Sequence, residues 1–123
     1  MNLLELKNLF VCLRNNENKI ILNNISFSLE EGESLSIIGE SGSGKTTIAR
    51  SILKLVDKNL LFKSGCILFN GKDILSLTES QMTKIRGDSI CFLPQESLNY
   101  LNPLIKCGDQ ISEVLIIKKK KNK

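Results

Sequence analysis

Histidine and tryptophan are absent from the 123 residues, and proline occurs only twice. Without histidine the chain lacks a common general base and metal ligand, and its four cysteines form no C-x-x-C pair. We therefore expect neither a zinc site nor a Cys-His nucleophile. The low proline content and the 41% of apolar residues argue against a collagen-like or low-complexity chain. We predict a globular fold in a reducing compartment, in which Cys66 and Cys91, which lie inside apolar runs, pack as small apolar side chains.

Long apolar runs are also missing. Runs such as residues 114–117 (VLII) are far shorter than the roughly 18 residues of a membrane-spanning helix, and the first residues, which include Glu5, do not form a signal peptide. The formal net charge is +4, and five of the last six residues, 118–123, are lysines. Because no aromatic residues alternate with them, this run is typical of a solvated terminus and not of a nucleic-acid-binding face. We expect a soluble, cytoplasmic protein that forms one domain or a piece of one.

The apolar periodicity predicts a succession of strands and short helices. The predicted strands span residues 3–14, 19–29, 34–38, 66–69 and 90–93, and the predicted helices span 45–56, 79–86 and 108–118. Polar residues 15–18 predict the turn of an opening β-hairpin, and residues 95–103 predict a polar loop. A glycine-rich loop joins the third strand to the first helix.

Turn and capping residues support two of these boundaries. Asn70-Gly71 is a turn pair that closes the strand before it. Thr78, followed three residues later by Gln81, is typical of a capping box at the start of a helix. Gly87 suits the end of that helix.

Residues 39–46 read GESGSGKT and match the G-x-x-x-x-G-K-[ST] phosphate loop. Glycines let backbone N–H groups converge on phosphate oxygens without Cβ clashes, and the start of the following helix adds its dipole. Lys45 is placed to neutralise the β- and γ-phosphates, and the Thr46 hydroxyl to bind Mg2+. A plain glycine turn before a helix is the alternative, but such a turn does not require a Lys-Thr pair. The motif therefore predicts binding of a nucleoside triphosphate.

The residues around this loop resemble the N-terminal part of the ATP-binding subunits of ABC transporters, in the branch of dipeptide, oligopeptide and nickel importers. The stretches that carry the resemblance are 24–29 (NISFSL), 32–33 (GE), 35–46, 71–74 (GKDI), 84–87 (KIRG), 92–96 (FLPQE) and 97–103 (SLNYLNP). The resemblance implies an α/β fold: a P-loop NTPase core of the ABC ATPase type with an N-terminal antiparallel β part, truncated before the signature motif. Residues 1–117 would be the N-terminal portion of this domain and residues 118–123 a basic tail.

The resemblance also implies roles for individual residues. Eight residues would hold the phosphates of ATP: Gly39, Ser41, Gly42, Ser43, Gly44, Lys45, Thr46 and Thr47. Thr46 and Gln95 would bind Mg2+, and Lys45 and Gln95 would take part in catalysis. The implied partners are transmembrane permease subunits and a second ATPase subunit, identical or not, on the inner face of the cell membrane. Hydrolysis of ATP would drive import of a peptide or of nickel.

The chain also departs from the family pattern. It contains no LSGGQ-like signature, no apolar strand ending in Asp-Glu and no histidine for the switch position. The resemblance therefore implies that this chain alone binds ATP without being competent for hydrolysis. Two alternatives stay open: a non-catalytic truncated or frameshifted fragment, and another P-loop NTPase such as a kinase or a GTPase.

Overall fold

The computed structural model describes residues 2–94 and 101–121. The chain divides into two units, Met1–Phe92 and Leu93–Lys123. In the described part of the first unit a single sheet has the strands β1 (Asn2–Leu13), β2 (Asn16–Glu30), β3 (Leu60–Phe69) and β4 (Lys72–Asp73), in the order β2-β1-β3-β4. The same unit contains the helices α1 (Lys45–Ile52) and α2 (Glu79–Ile85) and a 3-10 turn (Ile74–Ser76). Every neighbouring pair of strands is antiparallel.

The predicted β-hairpin is confirmed, with a tighter turn than residues 15–18 suggested. Leu13 pairs with Asn16, so the chain reverses at residues 14–15. The Arg14 backbone N–H donates to the Asn59 carbonyl at 2.7 Å, and Arg14 Nε donates to the Lys58 carbonyl at 3.1 Å. These contacts hold the tip of the hairpin on the segment that leads into β3.

Three neighbouring strands are irregular at the same level of the sheet. Asn8 in β1, Asn24 in β2 and Gly65 in β3 all have positive φ, and the Asn8 amide Nδ2 donates to Asn24 Oδ1 at 2.8 Å. An extra residue in a strand reverses which face the following side chains occupy. In β1, Leu6 faces the core before Asn8, and Leu9 faces it afterwards. The irregularity therefore keeps apolar side chains on the core face of strands whose apolar and polar residues do not strictly alternate.

The core of this unit lies between one face of the sheet, α1, α2 and the 3-10 turn. Its buried members are Leu6, Leu9, Val11, Leu22, Ile48, Ile67, Ile74 and Met82. The prediction that Cys66 and Cys91 pack as small apolar side chains is wrong for Cys91, which is exposed, and Cys66 is only half-buried. Of the other two cysteines, Cys12 is buried and Cys107 is exposed. Cys91 follows the isolated bridge at Ile90 and is not part of a strand.

The predicted turn and capping box are confirmed. Asn70 and Gly71 have φ of 49° and 75°, the left-handed pair that suits a tight hairpin between β3 and β4. At the start of α2, the Thr78 hydroxyl accepts a hydrogen bond from the Gln81 backbone N–H, and Gln81 Oε1 accepts one from the Thr78 backbone N–H. β3 begins at Leu60, earlier than predicted, because its first residues pair with the end of β1.

Two predicted strands are wrong. Residues 34–38 and 90–93 do not form strands. Ile90 makes one isolated bridge, to Arg86, and the other residues of the two segments have no regular secondary structure. A strand is held by hydrogen bonds to its neighbours, and the sheet in the described part of the chain extends from β2 to β4 without reaching either segment. Most of their apolar side chains are accordingly exposed, Ile38 at 93% and Leu93 at 88%, whereas Ile90 is partly buried against the core.

The second unit contains α3 (Cys107–Lys121), which extends the predicted helix at both ends. Gln110 anchors the turns before this helix: its Oε1 accepts from the Asn102 backbone N–H at 2.9 Å, and its Nε2 donates to the carbonyls of Asn102 and Ile105 at 3.0 and 2.8 Å. Residues 95–100 of the predicted polar loop lie outside the described residues. Among the helices of residues 2–94 and 101–121, none is long and apolar enough to cross a membrane.

We expect Thr78→Ala to lower the free energy of unfolding by about 1 kcal/mol, because the substitution removes the side-chain acceptor that caps α2. Thr83→Ala is the matched control, since Thr83 lies on the same helix and its hydroxyl donates to the Glu79 carbonyl at 2.9 Å, a bond that contributes little to helix stability. Urea unfolding of both variants measures the difference. Equal losses in the two variants would show that the capping box does not stabilise the unit.

Candidate functional site

The phosphate-loop motif connects an extended segment to α1. Residues 33–40 have no regular secondary structure, and residues 41–44 turn into the helix that begins at Lys45. The Ser43 backbone N–H donates to the Glu40 carbonyl at 3.3 Å, and the Ile48 N–H donates to the Gly44 carbonyl at 2.9 Å. The helix that the motif requires is therefore present, whereas the strand before it is not.

Gly44 is the residue that lets the loop pass closely over β2. Its φ is 93°, and a Cβ there would lie 2.8 Å from Leu22 Cδ2 and 3.3 Å from the Ile21 carbonyl oxygen. Only glycine combines this conformation with this approach. Because Leu22 is buried in the core, the first turn of α1 is seated directly on the hairpin.

Lys45 reaches back across the loop. Its Nζ donates to the carbonyl oxygens of Gly39 at 2.8 Å and Glu40 at 2.5 Å, and it lies 3.3 Å from Ser43 Oγ. The side chain is half-buried. The ammonium group therefore lies within the turn of the loop and draws residues 39–43 around itself.

The first turn of α1 also favours an anion electrostatically. It contains no acidic side chain, so the positive end of the helix dipole is not offset there. Thr46 is exposed and Thr47 half-buried on this turn, and the Thr47 carbonyl accepts a hydrogen bond from Ser51 Oγ at 2.7 Å. Thr46 and Thr47 also line a shallow pocket, together with Arg50, Val56, Asp57 and Leu60.

Eight of the nine predicted site residues lie together in the loop and the first turn of α1. Those in the loop and the first turn are Gly39, Ser41, Gly42, Ser43, Gly44, Lys45, Thr46 and Thr47. Gln95 lies outside the described residues. Within residues 2–94 and 101–121, no group of three or more His, Cys, Asp or Glu side chains could hold a metal ion.

Sequence reasoning missed the contacts at the far end of α1. Lys54 Nζ donates to the carbonyls of Leu75 and Leu77, both at 2.8 Å, and Arg86 Nε donates to the Leu53 carbonyl at 2.8 Å. The usual signal for such a helix end is a glycine, and this chain has a lysine there. No sequence pattern pairs residue 54 with residue 86.

Comparison with known proteins gives consistent matches. The family model described as ABC transporter matches residues 22–122. The oligopeptide transport ATP-binding protein OppD of Bacillus subtilis is 41% identical over 115 residues, which are 92% of this chain and 32% of that protein. The dipeptide transport ATP-binding protein DppD of Lactococcus lactis is 39% identical over 114 residues, with coverages of 92% and 33%. The chain thus spans about a third of the length of these curated relatives.

A solved structure also matches. The structure of a bacterial Atm1-family ABC exporter with ATP bound superimposes with a TM-score of 0.55 at 30% sequence identity. The match covers 68% of this chain and 14% of that one.

Proposed function

This chain belongs to the ABC transporter family, and we propose that it supplies the phosphate-binding part of the ATPase subunit of a peptide importer. The fold class read from the sequence, a P-loop NTPase core of the ABC type with an antiparallel β part, is confirmed by the family match and the structural likeness. Nucleotide binding is a property of this family. The observation that carries the proposal is the Lys45 ammonium group held inside a glycine loop at the start of α1.

The proposed ligand is ATP with Mg2+. The loop fits a polyphosphate because it presents backbone amides, a helix N-terminus and one lysine, and no acidic side chain in the first helical turn. Residues 39 and 41–47 would hold the phosphates, Lys45 as a point charge, and Thr46 would bind the metal together with Gln95. Mg2+ would supply charge neutralisation on the phosphate oxygens. Lys45 and Gln95 are the proposed catalytic residues.

The proposed partners are transmembrane permease subunits and a second ATPase subunit. ABC importer ATPases work with permeases, and peptide is the favoured cargo because the similar curated proteins are named for oligopeptide and dipeptide transport. Residues 1–117 are proposed as the N-terminal portion of the ATP-binding domain and residues 118–123 as a basic tail. We place the protein at the inner face of the membrane on the same grounds.

The proposal is tested by comparing Mg-ATP with AMP in titration calorimetry on the 123-residue chain. We expect weak binding of Mg-ATP and no detectable binding of AMP, because the loop and Lys45 are placed to contact β- and γ-phosphates that AMP lacks. Equal affinity for the two ligands would mean that the loop does not recognise the phosphate chain. No binding of either would reject the nucleotide assignment for this chain.

We also expect a polypeptide of these 123 residues to release no phosphate from ATP at an enzymatic rate. It contains no signature sequence, no acidic strand end and no histidine, and groups of this kind stabilise the charge that develops during phosphoryl transfer. A coupled phosphate assay measures this, with Lys45→Ala as the background. Release of about one phosphate per second per chain, a rate at the low end of those of ordinary enzymes, would contradict this expectation.

A further inference from the structure

The end of α1 opposite the phosphate loop is closed by a lysine in a glycine-like conformation. The Lys54 backbone N–H donates to the Ser51 carbonyl at 2.9 Å, and the Leu55 N–H donates to the Arg50 carbonyl at 2.8 Å. This is the hydrogen-bond pattern of a Schellman motif, whose left-handed residue is usually glycine. Here that residue is Lys54, with φ of 53°. A side chain at a position that disfavours one points to a contact that compensates.

The Lys54 side chain makes such contacts. Its Nζ donates to the carbonyls of Leu75, within the 3-10 turn, and of Leu77, directly after it, both at 2.8 Å, and the residue is half-buried. The end of α1 is thereby attached to the segment that leads into α2. The ammonium group also lies near the negative end of the α1 dipole, where a cation is favourable.

Arg86 makes the complementary attachment from the end of α2. Its Nε donates to the Leu53 carbonyl at 2.8 Å and its Nη2 to the Lys54 carbonyl at 3.3 Å, while Nη1 pairs with Glu79. Its side chain is only 19% exposed. A planar guanidinium can serve two carbonyls and a carboxylate at once, which an ammonium cannot do in the same geometry.

The attachment continues into the turn that follows α2. The Arg86 backbone N–H donates to the Met82 carbonyl at 2.9 Å, and Met82 is buried in the core. The N–H groups of Ser89 and Ile90 both return to the Ile85 carbonyl, at 2.9 and 3.1 Å. Arg86 thus stands between the far end of the phosphate-loop helix and the turn that follows α2.

We infer that Arg86 is a positioning residue for the phosphate loop. α1 is only about 12 Å long, and its start is seated on Leu22 of β2 through Gly44. A second attachment at Leu53 and Lys54 fixes the direction of the helix, and with it the first turn that carries Lys45 and Thr46. The expected effect of Arg86 on nucleotide affinity rests on the proposed function, whereas its expected effect on how firmly α1 is held does not.

The test compares Arg86→Met, Arg86→Lys, Glu79→Gln and Lys84→Met with the parent 123-residue chain. Glu79→Gln removes the ion pair and keeps the carbonyl contacts, and Lys84→Met removes an exposed cation from the same helix. Two properties are measured: hydrogen exchange of the Ile48 and Leu55 amides, at the two ends of α1, and the Kd for Mg-ATP. Unfolding of each variant is recorded alongside.

We expect Arg86→Met to speed exchange at both amides and to weaken Mg-ATP binding by about tenfold. Arg86→Lys should lie between it and the parent, and the two control variants should match the parent. Faster exchange at Leu55 alone, with unchanged exchange at Ile48 and unchanged Kd, would reduce Arg86 to a local cap and overturn the inference. If Arg86→Met does not fold, exchange of the Ile48 amide is compared between Arg86→Lys and the parent, and unchanged exchange there overturns the inference. If the parent does not bind Mg-ATP, the proposed function fails, and exchange at Ile48 still decides the role of Arg86.

Discussion

Gly65→Ala is expected to lower the free energy of unfolding by about 3 kcal/mol or more, a larger loss than we expect from Thr78→Ala. Gly65 has φ of 90°, and a Cβ there would lie 2.4 Å from the Asn8 carbonyl oxygen and 2.6 Å from Leu9 Cα. These neighbours are backbone atoms of the adjacent strand, which cannot move aside without breaking the pairing of β1 and β3. The substitution therefore strains both strands where the sheet is irregular.

Gly71→Ala is the matched control for this prediction. Gly71 also has positive φ, 75°, but a Cβ there would meet nothing within 4 Å. Its substitution should cost only the conformational term, about 1 kcal/mol. Urea unfolding followed by circular dichroism measures both variants. Similar losses would show that contact with β1 adds nothing and that the irregular level of the sheet is loosely packed.

Lys45→Ala is expected to weaken Mg-ATP binding by about 100-fold or more, beyond detection for a chain that binds weakly. Lys45 is the cation that the structure places inside the glycine loop, and its Nζ holds the carbonyls of Gly39 and Glu40. Without it the loop loses both a phosphate partner and the bonds that gather its residues. Calorimetric titration of the variant and the parent measures the change.

Lys84→Ala controls for the loss of one positive charge, because Lys84 is exposed on α2 and outside the loop. It should leave the affinity for Mg-ATP unchanged. Thermal unfolding of both variants separates a loss of binding from a loss of fold. Unchanged affinity in a folded Lys45→Ala protein would refute the assignment of residues 39–46 as the phosphate site.

Elements held by near neighbours in the chain were predictable. The capping box at Thr78 and the Asn70-Gly71 turn involve residues one to three positions apart, so residue type alone indicates the geometry. The start of α1 after the phosphate loop is of the same kind, since the glycines and Lys45 act within one short segment. Lys45 could therefore be assigned to the loop before its contacts were known.

Elements that depend on distant partners were not predictable. The apolar runs at 34–38 and 90–93 have strand composition, but composition does not supply hydrogen-bonding neighbours, and the sheet does not reach either run within the described part of the chain. The end of α1 was placed too late for a related reason. Lys54 is a good helix former, and its left-handed conformation follows from contacts with Leu75 and Leu77, more than twenty residues away.

The local chemistry of the chain was sufficient to identify the phosphate loop and its lysine, because amide, ammonium and hydroxyl groups act within a few residues of one another. The family was indicated by the resemblance of stretches between residues 24 and 103. Tertiary packing alone decided that Asn8, Asn24 and Gly65 lie at one level of the sheet and that Arg86 holds the far end of α1. The physical reason is the range of the interactions. Turns, caps and glycine loops are governed by short-range sterics and hydrogen bonds, whereas strand register and helix orientation are governed by neighbours that only the folded chain brings together.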